Sequence, residues 1–175
     1  MQSTGLPTTL TSGGVTVTYS AIDTNSDGIA DTIQAKAGAN NVFALSVNST
    51  TGGYSFTLQG PLDHPSDSPA NDSQTMSIDL SGGIVVKDMD GDSLAIDGGS
   101  FVISVEDDIP AQTTATVSVS VQEDALSGGN SSGEGTKTLA ASGNLTGLAT
   151  AGADGLKSWS VQSTGLPTTL TSGKR

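Results

Sequence analysis

The chain has 175 residues, 6 basic against 18 acidic side chains, a formal net charge of −12 and no cysteine. The charge argues against nucleic acid or an anionic membrane surface as partner, because both need clustered cations, and it favours cations as ligands. The missing cysteine excludes disulfides and thiolate metal sites, and no stretch approaches the ~18 apolar residues of a membrane span.

Apolar residues alternate with polar ones almost throughout. "GVTVTYS" (Gly14–Ser20) sets Val15, Val17 and Tyr19 against Thr16 and Thr18, and "TIQAKA" (Thr32–Ala37) repeats the pattern more weakly. "VFALSV" (Val42–Val47) and "YSFTL" (Tyr54–Leu58) flank Thr50, Thr51, Gly52 and Gly53, a hairpin signal. "MSIDL" (Met76–Leu80), "GIVVKD" (Gly83–Asp88) and "FVISVE" (Phe101–Glu106) follow, the last two on either side of an acidic loop. "ATVSVSVQ" (Ala115–Gln122) alternates most clearly, and "LKSWSV" (Leu156–Val161) is a shorter strand with Trp159 expected in the core. No window carries a sustained helical stripe; Gly143 and Gly147 break the one apolar run that could. Short Thr/Val/Ile-rich strands at 8–12-residue spacing predict an all-β sandwich, with a barrel as the alternative. Aromatics are only 3% of the residues, so the core is modest and another source of rigidity is expected.

The acids cluster in loops. In "DTNSDGIADT" (Asp23–Thr32), oxygen side chains stand at alternate positions, Asp23, Asn25 and Asp27, before Gly28, Ile29 and Asp31. Alternate oxygens can curl round one hard cation, glycine permits the bend, and the Ile29 carbonyl can add a ligand. An EF-hand would want Glu where Gln34 stands, and no helices flank the loop, so the pattern is ligand-loop chemistry without that fold. A plain Asx-rich turn is the alternative. "KDMDGDSL" (Lys87–Leu94) gathers Asp88, Asp90 and Asp92 round Gly91; three carboxylates this close repel unless a cation sits among them. Glu106, Asp107 and Asp108 end one strand, Glu123 and Asp124 end another, and Asp154 lies in "GADG". Together these predict acids gathered at the ends of the sandwich, where a shared calcium would stiffen a linker. Carboxylates favour calcium over zinc or copper. The plainer alternative is that the acidity keeps the protein soluble.

"QSTGLPTTLTSG" occurs twice, at Gln2–Gly13 and Gln162–Gly173, an offset of 160 residues. A fixed offset marks a tandem repeat. Pro110, after the acids at the strand end, is the best unit boundary; "SGGNSSGEG" (Ser127–Gly135) is a second connector by composition. Residues 1–110 then form the main part of one unit and residues 111–175 open the next. The second part cannot bury its own apolar face. It is expected to dock on residues 1–110 or to swap strands with a neighbouring chain. Lys174 and Arg175 stand where the repeat predicts Gly14 and Val15.

The remaining residues carry less. His64 is the only histidine, and a lone loop histidine reads as structural. With no cysteine and no second histidine, the usual nucleophilic triads and His-based zinc sites lack their parts, so no enzyme is expected. Asn48, Asn71, Asn130 and Asn144 begin N-x-S/T sequons of the kind such a composition generates by chance. Polar sequence follows Met1, with no signal-peptide pattern.

"GNLTGLATAGADG" (Gly143–Gly155), "TSGGVTVTYS" (Thr11–Ser20), "GGYSFTLQGPLDHP" (Gly52–Pro65), "VVKDMDGDSL" (Val85–Leu94) and "FVISVEDDIP" (Phe101–Pro110) resemble the Ig-like extender repeats of giant RTX adhesins exported by bacterial type I secretion. "VSVQEDALSGGN" (Val119–Asn130) resembles the start of such a repeat, so this chain carries the motifs in circularly shifted order. The resemblance implies an all-β, Ig-like Greek-key β-sandwich with calcium-binding loops, and a calcium-rigidified spacer at the bacterial cell surface that projects a ligand-binding tip in attachment and biofilm formation. It implies several Ca2+ ions, neighbouring repeats as partners and no membrane insertion. Asp88, Asp90, Asp92, Asp107 and Asp108 fall on the family's acidic loop and linker motif. Asp23–Asp31 departs from the commonest form of the repeat, a plain hairpin there, and rests on its own residues. The competing function is a calcium-dependent glycan-binding module, which needs an exposed aromatic or polar cluster beside the ion; the Asp23–Asp31 loop could supply the ion, with Tyr19 the only aromatic near it in the sequence.

Overall fold

A computed structural model describes residues 5–65, 74–129 and 138–172. Asn71, Asn130, Lys174, Arg175, the outer residues of the repeated segment and most of the 127–135 connector lie outside these residues. The described chain is all-β and antiparallel, and no α-helix occurs among the described residues. The strands are β1 (Thr11–Ser12), β2 (Val15–Ile22), β3 (Thr32–Ala37), β4 (Asn40–Val47), β5 (Tyr54–Leu58), β6 (Thr75–Asp79), β7 (Val85–Lys87), β8 (Ser93–Ala95), β9 (Val102–Glu106), β10 (Ala111–Gln112) and β11 (Ala149–Thr150).

β1 to β5 form one five-stranded sheet in chain order. The register places Val17 opposite Ala37, Tyr19 opposite Ala35, Ile33 opposite Leu45, and Leu45 opposite Phe56. These residues share one face because successive side chains alternate across a strand. A bulge beside Ala35 leaves Val42 as the extra residue of β4, so Val42 and Phe43 are both fully buried. The freed Val42 carbonyl accepts from the N–H groups of Gln59 and Gly60, at 2.7 and 3.0 Å.

β6 pairs with β9 in a second layer, and its Ile78, with Leu80 and Val105, closes the same core as Ile33, Phe43 and Leu45. The two separate sheets make a sandwich and not a closed barrel. Burying each of the large side chains contributes about 1.5–3 kcal/mol. Tyr19 caps the core edge. Its ring lies 6.1 Å from Phe43, its hydroxyl donates to the Pro7 carbonyl at 2.8 Å, and burial pushes that hydroxyl up to about 12.

Two loops fasten the layers. Ser81–Gly83 form a single 3-10 turn in which the Asp79 carboxylate accepts from the Ser81 hydroxyl (2.6 Å), the Ser81 N–H (3.0 Å) and the Gly99 N–H (2.8 Å). Gly82 lies against the backbone of Gly5, where a Cβ would overlap the Gly5 carbonyl. The β1–β2 turn, with Gly13 and Gly14 both at positive φ, donates both glycine N–H groups to the Asp63 carboxylate at 2.7 and 2.8 Å.

Two strand expectations fail. Residues 115–122 form no strand, and Val117, Val119 and Val121 are 45–62% exposed. Alternation specifies a strand only where a neighbour supplies ladder partners and a face to cover. Among the described residues this segment has no ladder; its Gln122 N–H bonds to the Thr138 carbonyl at 2.9 Å. Residues 156–161 fail for the same reason, so Trp159 is 46% exposed rather than in the core. Beyond Pro110 the only ladder among the described residues is the short pair β10–β11. The acidic loop after β7 closes on β8, a strand not anticipated, while β9 pairs with β6.

Candidate metal centres at the acidic loops

The β7–β8 hairpin carries the tightest grouping. Oxygens of Asp88, Asp90 and Asp92 all lie within 4.8 Å of one another, on exposed side chains. The loop closes on itself first. Asp88 Oδ1 accepts from the N–H groups of Gly91 (3.0 Å) and Asp92 (2.8 Å), and Gly91 takes a φ of 97° that favours glycine. Its side-chain contact with Asp90, then the surrounding N–H groups, hold the Asp88 carboxyl below the usual carboxylate range. Three anionic oxygens at this separation could hold a metal ion.

The Asp23–Asp31 loop is organised differently. Asp23 turns its carboxylate inward, accepting from Ser26 N (2.7 Å) and Gly28 N (2.8 Å). Asp27 accepts from Ile29 N (2.8 Å) and from the Asn25 amide (3.0 Å). Gly28 sits at φ 86° and Ser26 at φ 63°. Asp31 is buried, the residue 8% exposed, and its carboxylate accepts from Thr24 Oγ1 (2.8 and 2.9 Å) and Thr32 Oγ1 (2.9 Å). The Thr24 hydroxyl above all, with the Thr32 hydroxyl and nearby N–H groups, holds its carboxyl below the usual carboxylate range. Asp31 also continues the ladder, its N–H bonded to the Ile22 carbonyl and its carbonyl to Val47 N–H. The Ile29 side chain is 55% exposed.

The third gathering lies at the linker. Asp107 and Asp108 follow β9, and Ala153 N–H, from beyond the linker, donates to Asp108 Oδ2 at 2.9 Å. Gly152, at φ 77°, is pressed against the Asp108 backbone. Burial first, then the charges of Asp107 and Asp63, push the Asp154 carboxyl up. His64 joins the same corner. Its Nδ1 lies 3.0 Å from the Leu62 carbonyl and 3.6 Å from Asp107 Oδ1, and its Nε2 lies 3.2 Å from the Val105 carbonyl. This fits the structural role expected of it.

Asp107 and Asp108 thus lie on one side of the linker and act on Asp154 on the other, but among the described residues only Asp88, Asp90 and Asp92 bring three ligand oxygens within 4.8 Å of one another. Glu106 stays in β9 opposite Thr75, and Glu123 and Asp124 occupy a separate 3-10 turn, Glu123–Ala125. Asp63 was not a sequence candidate. Its position two residues before Pro65 gave no sign that it would clamp a turn 49 residues away.

A family model described as a domain of unknown function, DUF5801, matches residues 1–97, a span that holds the Asp23–Asp31 and Asp88–Asp92 loops but ends before the linker acids. No curated protein and no solved structure matches the chain. With more than half of its length matched, the chain belongs to the DUF5801 family.

Proposed function

We propose that the chain is a calcium-rigidified extender repeat of a giant bacterial surface adhesin exported by type I secretion, a spacer that holds a ligand-binding tip away from the cell. The observation that carries this reading is the 2.9 Å hydrogen bond from Ala153 N–H to Asp108 Oδ2, which returns the chain beside Asp154 to the acids before Pro110. Burial, then the charges of Asp107 and Asp63, raise the proton affinity of Asp154, and a hard divalent cation with six to eight oxygen ligands would offset that repulsion. Ca2+ bridging the two sides would remove the bending freedom of the linker, which is the property a spacer needs. The Asp88, Asp90 and Asp92 hairpin would hold a further ion, and the Asp23–Asp31 loop another with the Ile29 carbonyl as a ligand. Neighbouring repeats of the same chain are the partners, and the work is mechanical rather than catalytic.

Small-angle scattering of the 175-residue chain tests this reading. Calcium should narrow the distribution of dimensions and remove signs of flexibility between residues 5–108 and 111–172; identical profiles with calcium and with chelator would contradict it.

One observation favours glycan binding as a second reading. Tyr54, 62% exposed with its ring edge-on to Phe101 at 4.9 Å, lines an open polar cleft of about 590 Å³ with Asn25, Asp27 and Asn48. An aromatic face beside amide and carboxylate groups suits a sugar ring. A Tyr54→Ala variant that loses all binding in a glycan screen would support it; no glycan retained by the parent chain would dismiss it.

A further inference from the structure

Gly5–Ser12 and Gly165–Ser172 are the same eight residues in different surroundings. In the first copy Leu6 and Leu10 are 6% and 7% exposed and belong to the core. In the second, Leu166 and Leu170 are 60% and 81% exposed. Both copies turn at a glycine of positive φ, 88° at Gly5 and 77° at Gly165.

The first copy fills a defined slot. Gly5 abuts Gly82, the Pro7 carbonyl accepts from Tyr19, the Leu10 carbonyl accepts from Val17 N–H, and the Thr11 carbonyl accepts from Asp63 N–H. Thr11 stands opposite Thr16 on β2. Every one of these contacts uses a group that the second copy also has.

We propose that this slot accepts either copy, so that residues 165–172 exchange with residues 5–12 on the same sandwich. The second copy is tethered close by. Ala153 is bonded to Asp108, the adjacent Asp107 faces His64, and the neighbouring Asp63 is bonded to the turn that closes the slot. The chain from Asp154 to Gly165 can extend about 36 Å. The slot, seven residue steps long, spans at most about 25 Å. A tether this short gives the second copy a high effective concentration at its own slot compared with any other molecule's. The first copy keeps the advantage at rest. It runs directly into β2 through Gly13 and Gly14, whose N–H groups Asp63 holds, whereas Lys174 stands at the position of Gly14 in the second copy. The exchanged form is therefore the minor one.

With no native cysteine, disulfide trapping is clean. Residues opposite one another on antiparallel strands lie within disulfide reach. In the full chain, Thr11→Cys with Thr16→Cys reports the first copy, and Thr16→Cys with Thr171→Cys reports the second. The expected result is a slow disulfide within single molecules of the second variant. Adding Leu6→Ala and Leu10→Ala should raise its yield at least about tenfold, because the resident copy then loses its core contacts. Adding Leu166→Ala and Leu170→Ala, at exposed positions that leave the sandwich intact, should abolish it. Free thiols in the second variant while the first oxidises fully would overturn the exchange. A disulfide formed only between molecules would overturn its intramolecular form.

Discussion

The Ala153 N–H and the Asp108 carboxylate are joined at 2.9 Å across 45 residues of chain, the contact that brings Asp154 back to the linker. Asp154 is then pushed up by burial and by Asp107 and Asp63. Without a cation this closeness opposes folding. With one it becomes a ligand set. Asp154→Asn should therefore act in opposite directions under the two conditions. In chelator its melting point should equal or exceed that of the parent, by no more than about 2–4 °C, the shift that 1 kcal/mol gives in a chain of this size, because solvent screens these partly exposed groups. In calcium the variant should gain less than the parent. Differential scanning calorimetry under both conditions reads this directly, and equal gains would remove Asp154 from the site.

The β7–β8 hairpin makes a separate claim. Asp88 organises the loop through Gly91 and Asp92, whereas Asp90 and Asp92 mainly supply charge. Asp90→Asn with Asp92→Asn should weaken calcium binding at this hairpin by at least about tenfold, as loss even of supporting groups does at metal sites. The hairpin itself should persist. Titration calorimetry should show one class of binding heat reduced or lost; an unchanged isotherm would assign the three acids to solvation.

Acid should unfold the protein through identifiable carboxylates. The hydroxyls of Thr24, Thr11 and Ser81 are foremost in holding Asp31, Asp63 and Asp79 below the usual carboxylate range. A carboxyl with a depressed folded-state pKa stabilises the fold fully above its unfolded value, about 3.9, and that stabilisation is lost as pH falls through the folded value. The urea midpoint should be flat near neutrality and fall below about pH 4. Asp79→Asn should lower the midpoint at pH 7 and flatten the acid limb, since this variant has one such group fewer to protonate. A limb of unchanged steepness would place the acid sensitivity elsewhere.

Burial separates Leu45 in β4 from Leu166 in the second copy of the repeated segment. Leu45→Ala, at a side chain with no exposure, should cost about 2–5 kcal/mol in urea unfolding. Leu166→Ala, at 60% exposure, should fall within about 0.5 kcal/mol of the parent. A large loss at Leu166 would mean that the second copy is buried in solution.

Much of the sandwich was legible because alternation reports a half-buried strand when its neighbours are near in sequence. β2, β3, β4 and β5 follow one another in the sheet, and the Asn48–Gly53 hairpin turn carries its own signal, with Asn48 Oδ1 accepting from Thr50 and Thr51 N–H. Val117, Val119 and Val121 alternate more cleanly than any of these and form no strand, because alternation does not supply a ladder partner. The linker acids were legible as a group, but their assembly was not. Asp63 joins them through a turn held between distant residues, and only the folded chain brings that turn to the linker. The Asp23–Asp31 loop shows the converse. Its spacing reads as a ligand loop, yet Asp31 is held by Thr24 of the same loop and Thr32 of β3, contacts that the spacing does not encode.

Thermal unfolding with calcium, with excess chelator and with magnesium, at fixed ionic strength, tests the central claim most directly. A ligand bound only by the folded state stabilises by mass action, about 2.7 kcal/mol for each site at a hundredfold excess over its Kd. Several sites should raise the melting point by roughly 10 °C or more in calcium, with little change in magnesium. Coincident curves in calcium and chelator would contradict the account and leave the acids as solvating charge.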